Sequence, residues 1–134
     1  MMAVVIDASI AAAWCFPDEQ AQAAEHVLDI LPQTGGVVPG LFRHEIRNIL
    51  IVNERRGRID RTQSARFLTR LRNLQLAQDD SQDEDTILAL ARNRRLSAYD
   101  ASYLETALRR GDSLATLDRA LARAASAEGV AVIA

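Results

Sequence analysis

Two kinds of hydrophobic pattern alternate along the chain. Short apolar runs rich in Val and Ala predict buried strands. Longer stretches, in which apolar residues recur every three or four positions, predict helices with one buried face. The predicted strands lie at 3–6, 35–40, 74–78, 113–116 and 130–133. Strands that alternate with helices through short connections indicate an α/β fold, in which helices cover both faces of a short parallel sheet in three αβα layers.

Helices are predicted in every connection between these strands. Pro17 ends the first helix or begins the second, and the acids Asp18 and Glu19 suit the first turn of the second. The predicted helices span 8–15, 18–31, 41–56, 60–73, 81–93, 97–110 and 118–128.

Residues at the helix ends support these bounds. Asp60 with Gln63 predicts a capping box at the start of the fourth helix, and Ser81 with Glu84 predicts the cap of the fifth. Glycines follow several of the predicted helices and are expected to end them, because glycine adopts the left-handed backbone conformation readily. These glycines are Gly57, Gly111 and Gly129.

Length and composition indicate one domain that spans residues 1–134. The chain is 49% hydrophobic and 25% charged, which is typical of a protein with an ordinary core. No apolar run is long enough to cross a membrane, and the start MMAVVID lacks the basic residues of a signal peptide. Cys15 is the single cysteine, which excludes an internal disulfide and fits the reducing cytoplasm that we predict as its location.

The positive charge is carried entirely by arginine. All 16 basic residues are Arg, and the net charge is −2. Nine arginines and three acids fall within 43–72, a local excess of six positive charges, whereas 79–85 holds five acids and no base. Arginine suits phosphate oxygens, so segment 43–72 is a candidate to follow a nucleic-acid backbone. Solvated helix faces are the preferred interpretation for most of the nine.

Four acids carry the candidate chemistry. Asp7 follows the first strand, Asp118 follows the fourth, Asp100 begins a helix, and Glu45 lies on a mainly apolar stripe of another. Ligands of parallel α/β sheets bind at the carboxyl ends of strands, so Asp7 and Asp118 meet there if their strands are neighbours. Crowded carboxylates repel each other unless a cation lies between them, and Mg²⁺ and Mn²⁺ prefer oxygen ligands. We therefore predict a metal site that cleaves phosphodiesters.

Each acid also has a purely structural interpretation. Asp7 and Asp118 suit helix N-caps, and the helix dipole favours Asp100 in a first turn. Glu45 is harder to explain in this way, because a Glu on an apolar stripe needs a polar partner. Asn48, one turn later, is the predicted partner.

Other polar residues are assigned by their positions. Thr116 ends the fourth strand and is predicted to hydrogen-bond a carboxylate or a water on the metal. His44 adjoins Glu45 but points about 100° away from it around the helix, and nothing near His26 suggests chemistry, so neither receives a metal role. Glu105 lies about 140° around the helix from Asp100 and is predicted to be solvated.

Four segments resemble those of PIN-domain ribonucleases, and among them the VapC-type toxins of bacterial toxin–antitoxin pairs. VVIDAS is similar to the family's first strand and acid, and HEIRNIL to its acid-x-x-Asn helix. YDASYLETALRRG is similar to its Tyr-Asp-Ala helix, and LATLD to its strand that ends in Thr-x-Asp. The resemblance spans nearly the whole chain, although Glu105 stands where relatives often carry an apolar residue. It implies a catalytic set of Asp7, Glu45, Asp100 and Asp118, with metal on Asp7, Asp100 and Asp118 and support from Thr116 and Asn48.

The same resemblance implies an activity and partners. The activity is that of a Mg²⁺- or Mn²⁺-dependent endoribonuclease, a hydrolase that leaves a 5′-phosphate and a 3′-hydroxyl on its RNA substrate. The partners are a second copy, in a homodimer, and a small VapB-like antitoxin with a DNA-binding end and a tail that blocks the acidic site. Trp14 and Phe16 are candidates for these interfaces, and core packing is preferred for Trp14.

Two other classes of protein share features of this sequence. A non-catalytic PIN-like module that only binds RNA or protein would have the same fold, but the complete set of four acids argues against it. Receiver domains and haloacid-dehalogenase-like phosphotransferases also place an Asp after the first strand. Both rely on a Lys near the phosphate, and this chain has none.

Overall fold

The computed structural model describes residues 2–16, 18 and 21–134. Within them, five parallel strands form one sheet. The strands are β1 Val4–Ile6, β2 Gly36–Pro39, β3 Ala77–Asp79, β4 Ser113–Ala115 and β5 Val132–Ile133. Their order across the sheet is β3-β2-β1-β4-β5. The sequence predicts each of them, although β3 begins later than expected because the chain first leaves the preceding helix through Gln75, at φ 54°.

Helices occupy every connection. In the described residues they are α1 Ala8–Cys15, α2 Gln22–Thr34, α3 Leu41–Arg55, α4 Arg61–Asn73, α5 Glu84–Arg94, α6 Ala98–Arg110 and α7 Arg119–Ala127. Because crossovers between parallel strands are right-handed, this strand order places α1 to α4 on one face of the sheet and α5 to α7 on the other, in the predicted αβα layers. The contacts of α1 with α2 and α3, and of α6 with α5 and α7, agree with this placement. None of the helices described here combines the length and the apolar character that a bilayer span requires.

The central strands are buried on both faces. Every residue of β1 and β4 is inaccessible or nearly so, which explains why these strands are continuous apolar runs rather than alternating ones. Trp14 and Phe16 also face inward. The half-buried indole of Trp14 donates to the Ala24 carbonyl at 2.8 Å, and buried Phe16 lies under the Arg58 guanidinium, 4.4 Å from its ring centre. The predicted core packing of Trp14 is confirmed.

The second helix extends past its predicted end. The sequence favours an end at residue 31, before Pro32, but the helix continues to Thr34 and ends where Gly35 adopts a φ of 75°. Pro32 is tolerated because it lies in the last turn, where only one intrahelical hydrogen bond is lost. Pro17 and Glu19, which the sequence assigns to the start of this helix, lie outside the described residues.

One predicted cap is confirmed and one is wrong. Asp60 and Gln63 form the expected capping box on α4. The N-cap of α5 is Asp83 rather than Ser81, because the Asp83 carboxylate accepts the backbone amide three residues later. The Ser81 amide instead donates to the Asp79 carboxylate at 2.9 Å.

Glu105 is buried rather than solvated, so its predicted exposure is wrong. Its side chain is 1% exposed and accepts Arg109 Nε at 2.6 Å and the Asp83 amide at 3.3 Å. Arg109 also pairs with Asp79 at 2.9 Å, and this contact lowers the pKa of Asp79 to about 2. The position of Glu105 on its own helix does not reveal that α5 packs against α6 and covers that face.

Candidate active site

The ends of β1 and β4 form the centre of the site. The two strands are hydrogen-bonded neighbours, with Ile6 opposite Ala115, and the Asp7 amide donates to the Ala115 carbonyl at 3.2 Å. The strand order reverses here, since β2 and β3 lie to one side and β5 to the other. The structure therefore brings the strands that precede Asp7 and Asp118 together at the edge where α/β folds bind ligands.

Asp7 is a buried carboxylate that accepts hydrogen bonds from nearby donors. Its side chain is 4% exposed. Oδ1 accepts the Ser9 hydroxyl at 2.6 Å and the Ile10 amide at 3.2 Å, and Oδ2 accepts the Thr116 hydroxyl. Burial raises the pKa of Asp7, and the hydrogen bonds from Ser9 and Thr116 offset this only in part. Asp7 is thus the N-cap of α1, and it is also a carboxylate that folding forces out of water.

Two hydroxyl groups bridge the ends of β1 and β4. Thr116 is 0% exposed, and its Oγ1 donates to Asp7 and accepts the Asp118 amide at 3.0 Å. The Ser9 hydroxyl donates to Asp7 and accepts the Leu117 amide at 2.9 Å. The sequence singles out Thr116, because it ends the fourth strand. The bridge by Ser9 cannot be predicted from the sequence, because it depends on β4 being the neighbour of β1 in the sheet.

Replacing Thr116 with Val tests this bridge, because Val keeps the shape and removes the hydroxyl. We expect the pKa of Asp7 to rise further, since one of the hydrogen bonds that lower it is lost. We also expect unfolding to need roughly 1–3 kcal/mol less free energy, because the Asp7 carboxylate and the Asp118 amide each lose a buried partner. Urea unfolding and carboxyl NMR titration measure the two effects. Thr116→Ser should restore both, and a Val variant identical to wild type would contradict the bridge.

Glu45 is held by a tyrosine from another helix. Its half-buried carboxylate accepts the Tyr103 hydroxyl at 2.6 Å. Burial raises the pKa of Glu45, the Tyr103 hydrogen bond opposes this, and the charges of Asp7 and Asp100 raise it further. The partner of Glu45 is therefore Tyr103 rather than the predicted Asn48. Asn48 is exposed and makes no hydrogen bond to Glu45 within the described part of the chain.

Tyr103 is the residue that sequence reasoning missed. It is 1% exposed, and burial and the bond to Glu45 raise the pKa of its phenol, so it remains a hydrogen-bond donor at all ordinary pH values. A hydrogen bond with the backbone of Ala8, next to Asp7, lowers the pKa of Tyr103 and so opposes these two effects. The available signal was its spacing from Asp100, since residues three apart share a face of α6.

Asp100 and Asp118 lie at the starts of two helices. Asp100 is half-buried in the first turn of α6, where its amide donates to the N-cap Ser97 at 3.1 Å. Asp118 is exposed and is the N-cap of α7, accepting the Leu121 amide at 3.0 Å. Burial raises the pKa of Asp100, and the charges of Asp118 and Asp7 add to this. The positive ends of the two helix dipoles stabilise these negative charges.

The four acids act on one another electrostatically. Asp7 and Asp100 raise the pKa of Glu45, and Asp118 and Asp7 raise that of Asp100, each after the larger effect of burial. In residues 2–16, 18 and 21–134, none of the four forms an ion pair. The structure thus collects four carboxylates and supplies no cation of its own, an arrangement that a divalent ion would stabilise.

The family model of the PIN domain matches residues 4–127. The chain belongs to the PIN domain family. It is 30% identical over 124 residues to Ribonuclease VapC3 of Pyrobaculum aerophilum, covering 90% of this chain and 93% of that protein. The crystal structure of PAE2754 from Pyrobaculum aerophilum has a TM-score of 0.76 and 26% identity, covering 98% of this chain and 84% of the other. A toxin–antitoxin complex from Klebsiella pneumoniae has the same fold, with a TM-score of 0.60, 18% identity and 87% of each chain covered.

The candidate metal ligands of this PIN domain suit a hydrated Mg²⁺ or Mn²⁺ ion. All of them are oxygens, which these ions prefer and structural zinc does not. A carboxylate offers about four acceptor positions, and Asp7 uses three of them, which leaves one on Oδ2. In the described residues, no three acidic, histidine or cysteine side chains converge closely enough to hold one ion between them. Mg²⁺ commonly keeps several waters and takes only one or two carboxylates directly, so the residues fit an ion held partly through water.

The histidines of this PIN domain are set apart from the acids. His44 is exposed, with its ring 3.4 Å from the Arg47 guanidinium, and His26 is exposed on α2. Neither shares a hydrogen bond with any of the four acids in the part of the chain that the structure describes.

Proposed function

We propose that this PIN domain is a Mg²⁺- or Mn²⁺-dependent endoribonuclease and the toxin of a VapC-type toxin–antitoxin pair. The observation that carries the proposal is the buried Asp7 carboxylate, fixed by two hydroxyls at the switch point of the sheet and surrounded by acids that repel it. A protein that needed Asp7 only as a helix cap would have no reason to gather Glu45, Asp100 and Asp118 beside it. The 30% identity to a protein named Ribonuclease VapC3 supports RNA as the substrate.

In the proposed mechanism Asp7, Asp100 and Asp118 hold the metal, directly or through water. When bound, the ion would polarise the scissile phosphate and help to ionise water. The cation would also weaken the repulsion between the four carboxylates and the scissile phosphate of the RNA. Asn48, exposed one turn after Glu45, is proposed to contact the substrate.

Glu45 is proposed to orient the attacking water. Tyr103 engages Oε1, so Oε2 is left to accept a hydrogen bond from that water. The raised pKa of Glu45 makes its carboxylate a better proton acceptor than an ordinary surface Glu. Attack of water on phosphorus breaks the bond to the 3′-oxygen, which leaves a 3′-hydroxyl on one fragment and a 5′-phosphate on the other.

We include partners and location in the proposal. A VapB-like antitoxin would block the acidic site, in keeping with the fold that the chain shares with a toxin–antitoxin complex of Klebsiella pneumoniae. A homodimer would cover apolar side chains such as Ile51 and Leu88, which are each 43% exposed. The cytoplasm is the proposed site of action, since RNA and the antitoxin would both be there.

An RNA cleavage assay with defined variants tests the activity. Wild-type protein is expected to cut a labelled mixture of RNAs with Mn²⁺ and not with EDTA, and its fragments should join an adaptor without prior phosphorylation because they carry 5′-phosphates. Asp100→Ala should abolish cleavage, because it removes a proposed metal ligand. His44→Ala and His26→Ala should cut nearly as well as wild type.

Two outcomes would contradict this proposal. If His44→Ala were as damaging as Asp100→Ala, an oxygen-only site would be wrong. If the folded wild-type protein bound RNA but left it intact with Mn²⁺, the chain would be a binding module. Thermal melts of each variant establish that losses of cleavage do not reflect unfolding.

A further inference from the structure

A groove with basic rims lies between the end of α5 and the length of α7. It has a volume of about 380 Å³. Its floor consists of alanines on one face of α7, and arginines stand on both sides. We call it the basic groove and define it by Arg95, Arg123, Ala120, Ala124 and Ala127.

The arginines of this region have few acidic partners. Arg92, Arg95, Arg119 and Arg123 are exposed, and none of them forms an ion pair within the described ranges. Helix α7, with the sequence RALARAASA, contains no acid. Arg94 is the exception, because it pairs with Glu128 at 2.6 Å and so holds the end of α5 against the end of α7. The groove is thus lined by Arg95 and Arg123, which form no ion pair in the described residues, and by Arg94, whose charge Glu128 offsets.

Several of these arginines are poor choices for local stability. Arg95 has a φ of 54°, in the left-handed region where glycine is the usual residue. Arg119 lies in the first turn of α7, at the end of the helix dipole that repels cations. Arg119 and Arg123 are four residues apart on one helix face, where like charges repel. Residues that break local rules in this way are commonly retained for function.

The two segments that line the basic groove lead along the chain into the acidic site. Arg119 directly follows Asp118, the N-cap of α7. On the other side, Arg95 lies two residues before Ser97, the cap of the helix that carries Asp100. Asp118 is close enough to Asp100 to raise its pKa. The helix that lines the groove therefore begins at the Asp100–Asp118 edge of the site.

We propose that the basic groove binds the sugar–phosphate backbone of single-stranded RNA beside the scissile bond, with Arg95 and Arg123 donating to phosphates. This inference rests on the proposed ribonuclease function and adds the path of its substrate. The planar guanidinium fork matches phosphate oxygens, and the small alanine side chains let a backbone lie close to α7. By contrast, arginines in 43–72 are partly engaged within the protein, such as Arg58 with Asp18.

Equilibrium binding of a short fluorescent single-stranded RNA, in EDTA and over a series of salt concentrations, tests the groove. The double variant R95Q/R123Q is expected to bind roughly tenfold more weakly than wild type. The slope of log K against log salt should also become shallower by about 1.4, because each phosphate contact to a single strand contributes about 0.7. Its melting temperature should equal or exceed that of wild type, since two repelled charges are removed.

The matched control is R55Q/R56Q, which removes two exposed arginines at the far end of α3, about 15 Å along the helix from Glu45. This control should keep the affinity and salt slope of wild type. Equal losses in both double variants would overturn the proposal, because they would reflect net charge alone. Unchanged RNA binding by R95Q/R123Q would also overturn it. If that variant bound RNA normally but failed to bind a protein partner, the groove would be a protein-binding surface and the proposal would again fail.

Cleavage kinetics separate this inference from the proposed function. With Mn²⁺, R95Q/R123Q should raise KM and leave kcat nearly unchanged, because the lost contacts are equal in the ground state and the transition state. If wild type cleaves no RNA while R95Q/R123Q loses RNA binding, the ribonuclease proposal fails and the groove stands. If wild type cleaves RNA and R95Q/R123Q keeps its Kd and KM, the groove fails and the ribonuclease stands.

Discussion

Asp7→Asn is expected to melt at a higher temperature than wild type in metal-free buffer, and to cleave RNA at least about 100-fold more slowly. Asn caps helices as well as Asp does, so the bond from the Ile10 amide should persist. The substitution removes a charge that burial disfavours and that raises the pKa values of Glu45 and Asp100. It also removes a proposed metal ligand. This should lower the cleavage rate by more than the 10- to 100-fold that is typical when a residue that only orients a ligand is lost. Stability and activity should therefore change in opposite directions.

The stability that Asp7→Asn gains in metal-free buffer should depend on pH in a definite direction. Burial raises the pKa of Asp7 above its ordinary value of 3.8, so the folded protein retains a proton at pH values where the unfolded chain has lost it. The contribution of Asp7 to stability therefore falls as pH rises from about 4 through the raised pKa. The melting temperatures of wild type and Asp7→Asn should be similar near pH 4 and diverge towards neutral pH. Calorimetry in EDTA across this range measures the difference.

Added Mn²⁺ should reverse the order. Under the proposed function Mn²⁺ would bind the folded state alone, and it should raise the melting temperature of wild type by mass action, with little effect on Asp7→Asn. Asp60→Asn is the matched control, because Asp60 is also a helix N-cap and lies on α4 outside the acidic group. It should keep the Mn²⁺ response and the cleavage of wild type. A metal-free Asp7→Asn protein that is strongly destabilised would identify Asp7 as a structural cap and refute the repulsion argument.

The parts of this site that the sequence predicts are those encoded by local position. Asp7 and Asp118 follow strand ends, and every α/β sheet directs such residues to the same edge. Glu45 stands out as an acid on an apolar stripe, and Asp60 with Gln63 forms a capping box because both partners lie within one turn. In each case the physical signal is contained within a few residues.

The parts that the sequence does not predict depend on contacts between distant elements. The hydrogen bond from Tyr103 to Glu45 joins α6 to α3, whereas local spacing favours Asn48. Glu105 faces away from Asp100 and would be solvated on an isolated helix, but α5 covers it and Arg109 neutralises it. Helical periodicity says which residues share a face, and only the tertiary structure says what that face meets.

The two strand-end acids show why function and structure are hard to separate here. Asp7 and Asp118 both cap helices, and both belong to the acidic group. A helix N-terminus stabilises a carboxylate through its unpaired amides and its dipole. A fold that must hold mutually repelling acids at one edge gains by placing them at such positions. Substitution to Asn, which keeps the cap and removes the charge, is therefore more informative than substitution to Ala.

Growth of a bacterial host is expected to stop when the wild-type chain is expressed alone, and to continue when Asp118→Asn is expressed at the same soluble level. A ribonuclease turns over many times, so few copies suffice to deplete an essential RNA. Asp118 is exposed, and Asn should still accept the Leu121 amide, so the variant should fold normally and lose only a charge on the proposed metal. Viable counts after induction, with immunoblots of the soluble fraction, measure both quantities.

The control for this experiment is again Asp60→Asn, which should arrest growth as the wild type does, because it changes an N-cap acid outside the site. Co-expression with a cognate antitoxin should restore growth of the wild type. Toxicity that survives Asp118→Asn would mean that the protein acts by binding rather than by cleavage. In that case R95Q/R123Q should relieve the arrest if the basic groove binds RNA. The two variants together therefore distinguish the loss of a proposed metal ligand from the loss of RNA binding.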